Sequence, residues 1–221
     1  KLSIDFTNNI NAYTDTIIIS EALMEGLSED YKEERYMGNG HYAVDLSYPS
    51  FYTYMENAQS DSIRKLLRYK FLNKGMPENI IILDEIIKLR NQYAHILGYP
   101  SFAAYIIEES MAQTPEKVWQ FENDLNTKIQ KKADWDTAQL LNIKNELTGI
   151  DDSVIYDWEK YFYENQILKN DYKVDMNKVK QYFEVENVIE GIFTISQRLF
   201  GIKYREIKEP SVWHSDIKMY E

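Results

Sequence analysis

The sequence predicts a mainly α fold with one or two short β elements near its start and its C-terminal end. Three observations predict it. Most of the chain carries apolar residues three and four positions apart, the spacing of an amphipathic helix. Helix start and stop signals recur, among them Thr114-Pro115 and Gly201. Strand-like runs are few and short: Ile17–Ile19, His41–Leu46 and Ile202–Ile207.

The first fifty residues mix both kinds of structure. The β-branched run Ile17–Ile19 precedes a helical segment around Glu21–Met24. The charged stretch Tyr31–Met37 predicts a helix. Gly38-Asn39-Gly40 predicts a turn, and His41–Leu46 alternates as a strand does.

From residue 50 onward the pattern predicts helix after helix. The predicted ranges are 50–58, 61–73, 79–97, 101–110, 114 to about 129, 135–147, a helix opening at 152 or 153, 175–183 and 186–200. The expected N-caps are Asn79, Ser101, Thr114 and Asp175. A strand at Ile202–Ile207 and the start of another at Ile217–Glu221 close the chain.

Composition narrows the possible partners. Hydrophobic residues make up 44% of the chain, enough for a packed core. There are 36 acidic and 25 basic residues, a net charge of −11, which disfavours nucleic acid or an anionic membrane as partner. The apolar runs are too short to span a bilayer. Cysteine is absent, so disulfides and thiolate catalysis are excluded; this fits a reducing compartment, and we expect a cytoplasmic protein.

Two motifs have a functional and a structural interpretation. Residues 38–43 match G-x-G-x-x-A, but a nucleotide site needs a strand before the motif and a helix after it, the reverse of the predicted order. The carboxylate pairs Asp134/Asp136 and Asp151/Asp152 could bind calcium or exchange protons. Both pairs fall at predicted helix starts, where carboxylates favour the helix dipole, so helix capping is the favoured interpretation.

The three histidines do not form a zinc motif. His41, His95 and His214 include no pair at i, i+4, the spacing of H-E-x-x-H. His95 lies in the last turn of a predicted helix and His41 at a strand edge. His214, in a turn beside a strand, is the most site-like. No catalytic, cofactor-binding or metal-binding residue is therefore assigned in this chain.

Aromatic residues are in surplus, with 18 tyrosines and four tryptophans. Such side chains could line a groove for extended peptides. Most lie at helical spacing with aliphatic residues, as at Trp158, Tyr161 and Phe162, which favours the core for any one of them.

An ordered set of blocks resembles a known family. The blocks are Asp84–Arg90, Ala94–Tyr99, Phe102–Tyr105, Met111–Val118, Asp157-Trp158 with Tyr161 and Tyr163, Tyr182-Phe183, Val188–Phe193, Leu199–Ile202, Val212–His214, Asp216 and Tyr220-Glu221. Together they resemble the thimet oligopeptidase, neurolysin and peptidyl-dipeptidase family of zinc metallopeptidases. The related oligoendopeptidase F group shares several blocks, so the subgroup stays open.

The resemblance implies a neurolysin-like architecture. Residues 1–221 would form a single helical segment of a larger peptidase domain, one wall of a deep channel that admits short peptides. Residues 202–221 would begin the small β-sheet beside the active site, and His214 and Tyr220 would lie near the substrate channel. In the family the zinc ligands and the catalytic glutamate lie downstream of the matched blocks.

We therefore expect an internal fragment of a zinc-dependent oligopeptidase or peptidyl-dipeptidase, beginning at Lys1 and ending within a predicted strand at Glu221. Its partners would be short peptide substrates and the missing catalytic half of the same polypeptide. The fragment alone should be inactive, and it could bury an uncovered apolar patch by self-association. The alternative is a free-standing helical peptide-binding or scaffold protein without catalysis.

Overall fold

A computed structural model describes all residues from Lys1 to Glu221. The chain divides into two compact units, Lys1–Ile167 and Leu168–Glu221. Ten α-helices and one small antiparallel sheet confirm the mainly α prediction. None of the helices combines the length and the apolar character that crossing a lipid bilayer requires.

The sheet of the first unit has three strands in the order β1-β3-β2. These are β1 (Thr16–Ser20), β2 (Tyr36–Gly38) and β3 (His41–Asp45). Ile17 pairs with Val44, and both point into the core. Residues 38–40, all at positive φ, form the turn between β2 and β3, as the loop interpretation predicted. The predicted helix 31–37 is shorter at its C-terminal end, because Tyr36–Gly38 pairs with β3.

Apart from α1 (Leu2–Ala12), which the sequence pattern did not predict, the helices follow the predicted order. They are α1 (Leu2–Ala12), α2 (Glu29–Arg35), α3 (Tyr48–Asn57), α4 (Asp61–Leu72), α5 (Glu78–Ile96), α6 (Phe102–Ile107), α7 (Pro115–Thr148), α8 (Lys160–Asn170), α9 (Met176–Lys180) and α10 (Val185–Phe200), with a 3-10 turn at Glu21–Met24. The side chains of Ser101, Thr114 and Asp175 accept backbone N–H groups at helix starts, as predicted. Gly149 and Gly201 end α7 and α10 in the left-handed conformation.

Three helix boundaries were predicted wrongly. Residues 114–129 and 135–147 belong to one continuous helix, α7, because no proline or glycine interrupts it after Pro115. Asp134 and Asp136 therefore lie in mid-helix, where they bond Gln130 and Lys132 one turn earlier rather than capping a helix start. No helix opens at Asp152, whose carboxylate pairs with Lys144 instead.

Asn79 is also not an N-cap. It lies inside α5 and is buried. Its amide donates to the carbonyl of Phe6 at 3.0 Å and accepts from Asn9 at 2.9 Å. Asn79 thus fastens α1 to α5. Its buried amide is satisfied by partners that lie about 70 residues away in the sequence.

Residues 16–72, which we call the sheet core, enclose one hydrophobic cluster. The fully buried members include Met24, Val44, Phe51 and Tyr54. Phe51 stacks on Phe71 with ring centroids 4.0 Å apart. Buried residues of β1, β3, α2, α3 and α4 form most of this cluster, and Tyr13, Trp158 and Tyr161 pack against it from outside the stretch, which therefore supplies most of its own cover.

Residues 78–139, which we call the uncovered segment, bury far fewer of their side chains than the sheet core does. They form α5, α6 and most of α7, yet only Asn79 and Ala94 are buried. Every residue from 119 to 138 is exposed, including Trp119, Phe121 and Trp135. Of the aromatics named in the core prediction, Phe162 is buried and Trp158 and Tyr161 are half-buried against the hydrophobic cluster, as predicted. In the whole chain, however, exposed aromatics outnumber fully buried ones.

The second unit contains α9, α10 and a short terminal ribbon. Glu206 and Tyr220 form an antiparallel bridge, and the backbones of Arg205 and Glu221 exchange hydrogen bonds of 2.9 and 3.0 Å. The predicted strands at 202–207 and 217–221 thus pair with each other over only a few residues. That they lie beside an active site stays a prediction.

Candidate functional site

A cleft of about 520 Å³ lies in the second unit, between α10 and the segment 216–220. We call it the α10 cleft. It is lined by Val185, Glu186, Ile189, Ile192, Phe193, Asp216, Lys218 and Tyr220.

Local periodicity explains why these residues face one another. On α10, Val185, Ile189 and Ile192 are four and three positions apart, so they share one helix face. On the other wall, Lys218 and Tyr220 are two positions apart, the alternation that places side chains on one side of an extended segment. Asp216 precedes them in a turn that the Ile217 N–H closes by donating to the carbonyl of His214. The cleft therefore has an apolar helical wall and a mixed wall.

Three aromatic rings hold the two walls together. The ring of Phe193 stacks on Tyr204 at 4.5 Å and meets the edge of Tyr220 at 4.7 Å, centroid to centroid. The backbone of Tyr220 is fixed by its bridge to Glu206. Tyr220 thus has both its ring and its backbone positioned at the cleft.

The charges of the cleft are unevenly partnered. The Lys218 ammonium lies 3.7 Å from the Glu186 carboxylate, a loose ion pair across the cleft. The Asp216 carboxylate accepts a 3.2 Å hydrogen bond from the Ser215 hydroxyl. The basic side chain within salt-bridge distance of Asp216 is His214, at 3.6 Å, so no lysine or arginine of the chain pairs with this carboxylate.

His214 lies next to the cleft but does not line it. Its Nδ1 accepts the backbone N–H of Asp216 at 3.3 Å and is 3.6 Å from the Asp216 carboxylate. Because Nδ1 accepts the backbone N–H, it cannot at the same time donate a hydrogen bond to the carboxylate. Of the two residues predicted to lie near the channel, Tyr220 lines this cleft and His214 contacts it through Asp216.

The other histidines lie in the first unit. The Nδ1 of His41 is 2.9 Å from the carbonyl of Asn39, and that of His95 is 2.8 Å from the carbonyl of Asn91. No group of three or more His, Cys, Asp or Glu side chains is placed to hold a metal ion. That the zinc ligands lie downstream of the matched blocks stays a prediction.

A buried charge cluster in the first unit is structural. Lys144 donates to Glu159 at 2.9 Å and to the carbonyl of Val154 at 2.8 Å, and it pairs with Asp152 at 2.7 Å. Burial opposes its charge, but the hydrogen bonds to Asp152 and Glu159 outweigh that effect, so the pKa of Lys144 is raised. The same contact holds the pKa of Asp152 below its ordinary value. All three charges are mutually satisfied, so the cluster fastens the loop 151–159 to α7 and leaves no free acid or base.

Sequence reasoning missed most of the cleft. Glu186, Ile189 and Lys218 were not singled out as site residues, although the spacing on α10 and the alternation at 216–220 were readable. The sequence did not indicate that α10 contacts the segment 216–220. These two walls lie about 30 residues apart in the chain, and no local pattern predicts a contact over that distance.

Comparison with known proteins identifies the family. The model of peptidase family M3 matches residues 54–221. Saccharolysin of Saccharomyces cerevisiae is 31% identical over 230 residues, covering 98% of this chain and 32% of its own. The thimet-like oligopeptidase of Dictyostelium discoideum is 30% identical over 230 residues, covering 99% and 34%. Oligopeptidase A of Escherichia coli is 24% identical over 188 residues, covering 81% and 27%.

The chain thus spans about a third of the length of saccharolysin and of the thimet-like oligopeptidase. The family match extends through the end of α3, all later helices and both walls of the α10 cleft. On these grounds the chain belongs to peptidase family M3.

Proposed function

We propose that this chain is part of a zinc-dependent peptidase that hydrolyses short peptides, and that it supplies a helical wall of the peptide channel. The zinc ligands and the catalytic base would lie in polypeptide outside these 221 residues. The observation that carries the proposal is the match of nearly the whole chain to named oligopeptidases, of which it spans only about a third.

The uncovered segment supports a larger protein. Its exposed apolar side chains include Ile81, Ile87, Phe121 and Trp135. Monomeric proteins rarely leave contiguous apolar patches larger than a few hundred Å² in water, and larger ones mark interfaces. The catalytic part of the same polypeptide is the proposed cover. When the chain is isolated, self-association is the expected substitute.

The positions of His214 and Tyr220 fit a channel wall. Tyr220 is presented at an open cleft, and His214 contacts the carboxylate that lines it. In the longer enzyme, the double substitution His214→Ala/Tyr220→Ala should raise the KM for short peptides while the zinc content stays unchanged. An unchanged KM would refute the placement of these two residues near the channel.

The proposal is tested by comparing the 221-residue chain with a longer product of the same gene, extended past Glu221. Both are assayed for cleavage of short peptides with and without a zinc chelator. We expect chelator-sensitive cleavage by the longer product and none by the 221-residue chain. Cleavage by the chain alone, or no cleavage and no H-E-x-x-H motif in the extension, would overturn the proposal. The second result would favour a peptide-binding or scaffold role.

Two reaction subclasses are represented among the relatives. The relatives include oligopeptidases and a dipeptidyl carboxypeptidase of Escherichia coli. Mass analysis of the products distinguishes internal cleavage from stepwise removal of C-terminal dipeptides. The cytoplasmic location expected from the lack of cysteine stays part of the proposal.

A further inference from the structure

We propose that the α10 cleft binds a bulky apolar side chain of a peptide that carries a cationic residue next to it. The inference rests on the proposed function, since it takes a peptide as the ligand. It goes further by assigning a place in the fold, a size and a charge to one subsite.

The size and lining of the cleft fit a bulky apolar side chain together with its neighbour in a peptide. Its volume of about 520 Å³ falls within the range of about 300 to 1,000 Å³ that is typical of ligand pockets. Ile189, Ile192 and Phe193 form the apolar wall, and Tyr220 closes the other side. Such a surface gains free energy by removing an aliphatic or aromatic group from water.

Contacts between aromatic rings fix one wall of the cleft before a ligand binds. Phe193 is held between Tyr204 and Tyr220 by two ring contacts shorter than 5 Å. A wall that is already fixed loses little conformational freedom when a ligand enters. The cleft therefore does not depend on a rearrangement of the second unit.

The charge pattern selects the neighbour of the apolar side chain. Glu186 and Lys218 offset each other across the cleft, and no lysine or arginine of the chain pairs with Asp216. A lysine or arginine of the ligand can pair with Asp216, whereas a carboxylate in the same place would be repelled. Since Asp216 is exposed, we expect a preference of roughly two- to five-fold rather than a strict selection.

The test measures binding of labelled probe peptides to the 221-residue chain by fluorescence anisotropy. The probes are Gly-Arg-Phe-Arg-Gly, the acidic analogue Gly-Glu-Phe-Glu-Gly, and Gly-Arg-Ser-Arg-Gly, which lacks the apolar side chain. We expect the first to bind most tightly, the second two- to five-fold more weakly, and the third roughly ten-fold more weakly because it loses the apolar contact.

Two pairs of variants locate the site. Ile192→Lys places a charge in the cleft, and Ile195→Lys is its match on the same helix outside the cleft; the two residues are 55% and 60% exposed. Asp216→Asn removes the unpartnered carboxylate, and Glu190→Gln removes an exposed carboxylate of α10 that does not line the cleft. All four positions are exposed, and circular dichroism confirms that each variant is folded.

We expect Ile192→Lys to weaken the first probe by roughly ten-fold and Asp216→Asn to abolish the preference for the basic probe, while both controls bind as the parent does. Equal binding of the basic and acidic probes, or equal effects of each variant and its control, would overturn the inference. So would a concentration-dependent dimer that Ile192→Lys dissociates, because a second copy would then occupy the cleft. These results are independent of cleavage, so the inference and the proposed peptidase activity can fail separately.

Discussion

The sheet core and the uncovered segment are built from similar sequence patterns but treat their apolar residues in opposite ways. In residues 16–72, a three-stranded sheet and the helices α2, α3 and α4 contribute to one hydrophobic cluster. In residues 78–139, three helices leave most apolar side chains exposed and fully bury only Ala94 among them. The comparison teaches that helical periodicity reveals an apolar face without revealing what covers it. The first stretch supplies most of its own cover, and we propose that other polypeptide covers the second.

The largest expected effect is on packing within the sheet core. Phe51 is fully buried and stacks on Phe71, so Phe51→Ala should lower the free energy of unfolding by about 3 to 5 kcal/mol. The matched substitution Phe121→Ala removes a ring that is 64% exposed on α7 and should change it by less than about 0.5 kcal/mol. Urea denaturation measures both. Similar losses at the two positions would contradict the contrast.

The second largest expected effect is on the free energy of unfolding when the buried ion pair of Lys144 is broken. Lys144→Met leaves the buried Glu159 without its ion-pair partner and should cost about 2 to 3 kcal/mol. Lys132→Met breaks an exposed pair with Asp136 on α7 and should cost less than about 0.5 kcal/mol. The double variant Lys144→Met/Glu159→Leu should regain part of the loss, since no buried charge is left unpaired. If it is less stable than Lys144→Met, the pairing account fails.

Removing a helix N-cap should also affect the sheet core and the uncovered segment differently. Ser28 caps α2 in the sheet core and Thr114 caps α7 in the uncovered segment. Ser28→Ala should lower the free energy of global unfolding by about 1 kcal/mol. Thr114→Ala should speed amide exchange in the first turns of α7 and leave the urea midpoint nearly unchanged, because that helix opens locally. A shift of the midpoint by Thr114→Ala as large as that by Ser28→Ala would argue against local opening.

The smallest expected effect is on acid sensitivity. Hydrogen bonds from Lys70 and Lys144 hold the pKa values of Asp15 and Asp152 below the ordinary value. A carboxylate with a lowered folded-state pKa stabilises the fold above its unfolded-state pKa of about 4, and this stabilisation is lost as the pH falls through the folded-state pKa. Asp15→Asn and Asp152→Asn should therefore each flatten the fall of unfolding free energy below about pH 4. A fall as steep as in the parent would show that these pairs do not contribute.

Local signals in the sequence predicted the fold class and most elements. Caps such as Ser101 and Thr114 and the terminating glycines Gly149 and Gly201 act through nearby backbone groups, so the sequence alone identifies them. The continuity of α7 through Asp134 was missed because carboxylates that resemble caps are satisfied by residues one turn away in the same helix. Asp152 was misassigned because its true partner, Lys144, belongs to the preceding helix.

The candidate site was predictable only in part. Tyr220 and His214 were chosen through the resemblance, and the structure places one in the α10 cleft and the other beside it. Glu186 and Lys218 were beyond reach, because an ion pair between residues 32 positions apart has no signature in a single sequence. The exposure of Trp119 and Trp135 could not be read either, since periodicity does not say which faces lack a partner.

Hydrogen exchange of the isolated 221-residue chain, followed by mass spectrometry at low protein concentration, tests the contrast between the sheet core and the uncovered segment most directly. We predict that amides of β1, β3 and α3 exchange only through global unfolding, while those of residues 119–138 exchange much faster through local opening. Raising the protein concentration should slow only the second set if copies cover one another. Uniform protection across both regions in a monomer would show that the uncovered segment is stable without other polypeptide, and would contradict the account.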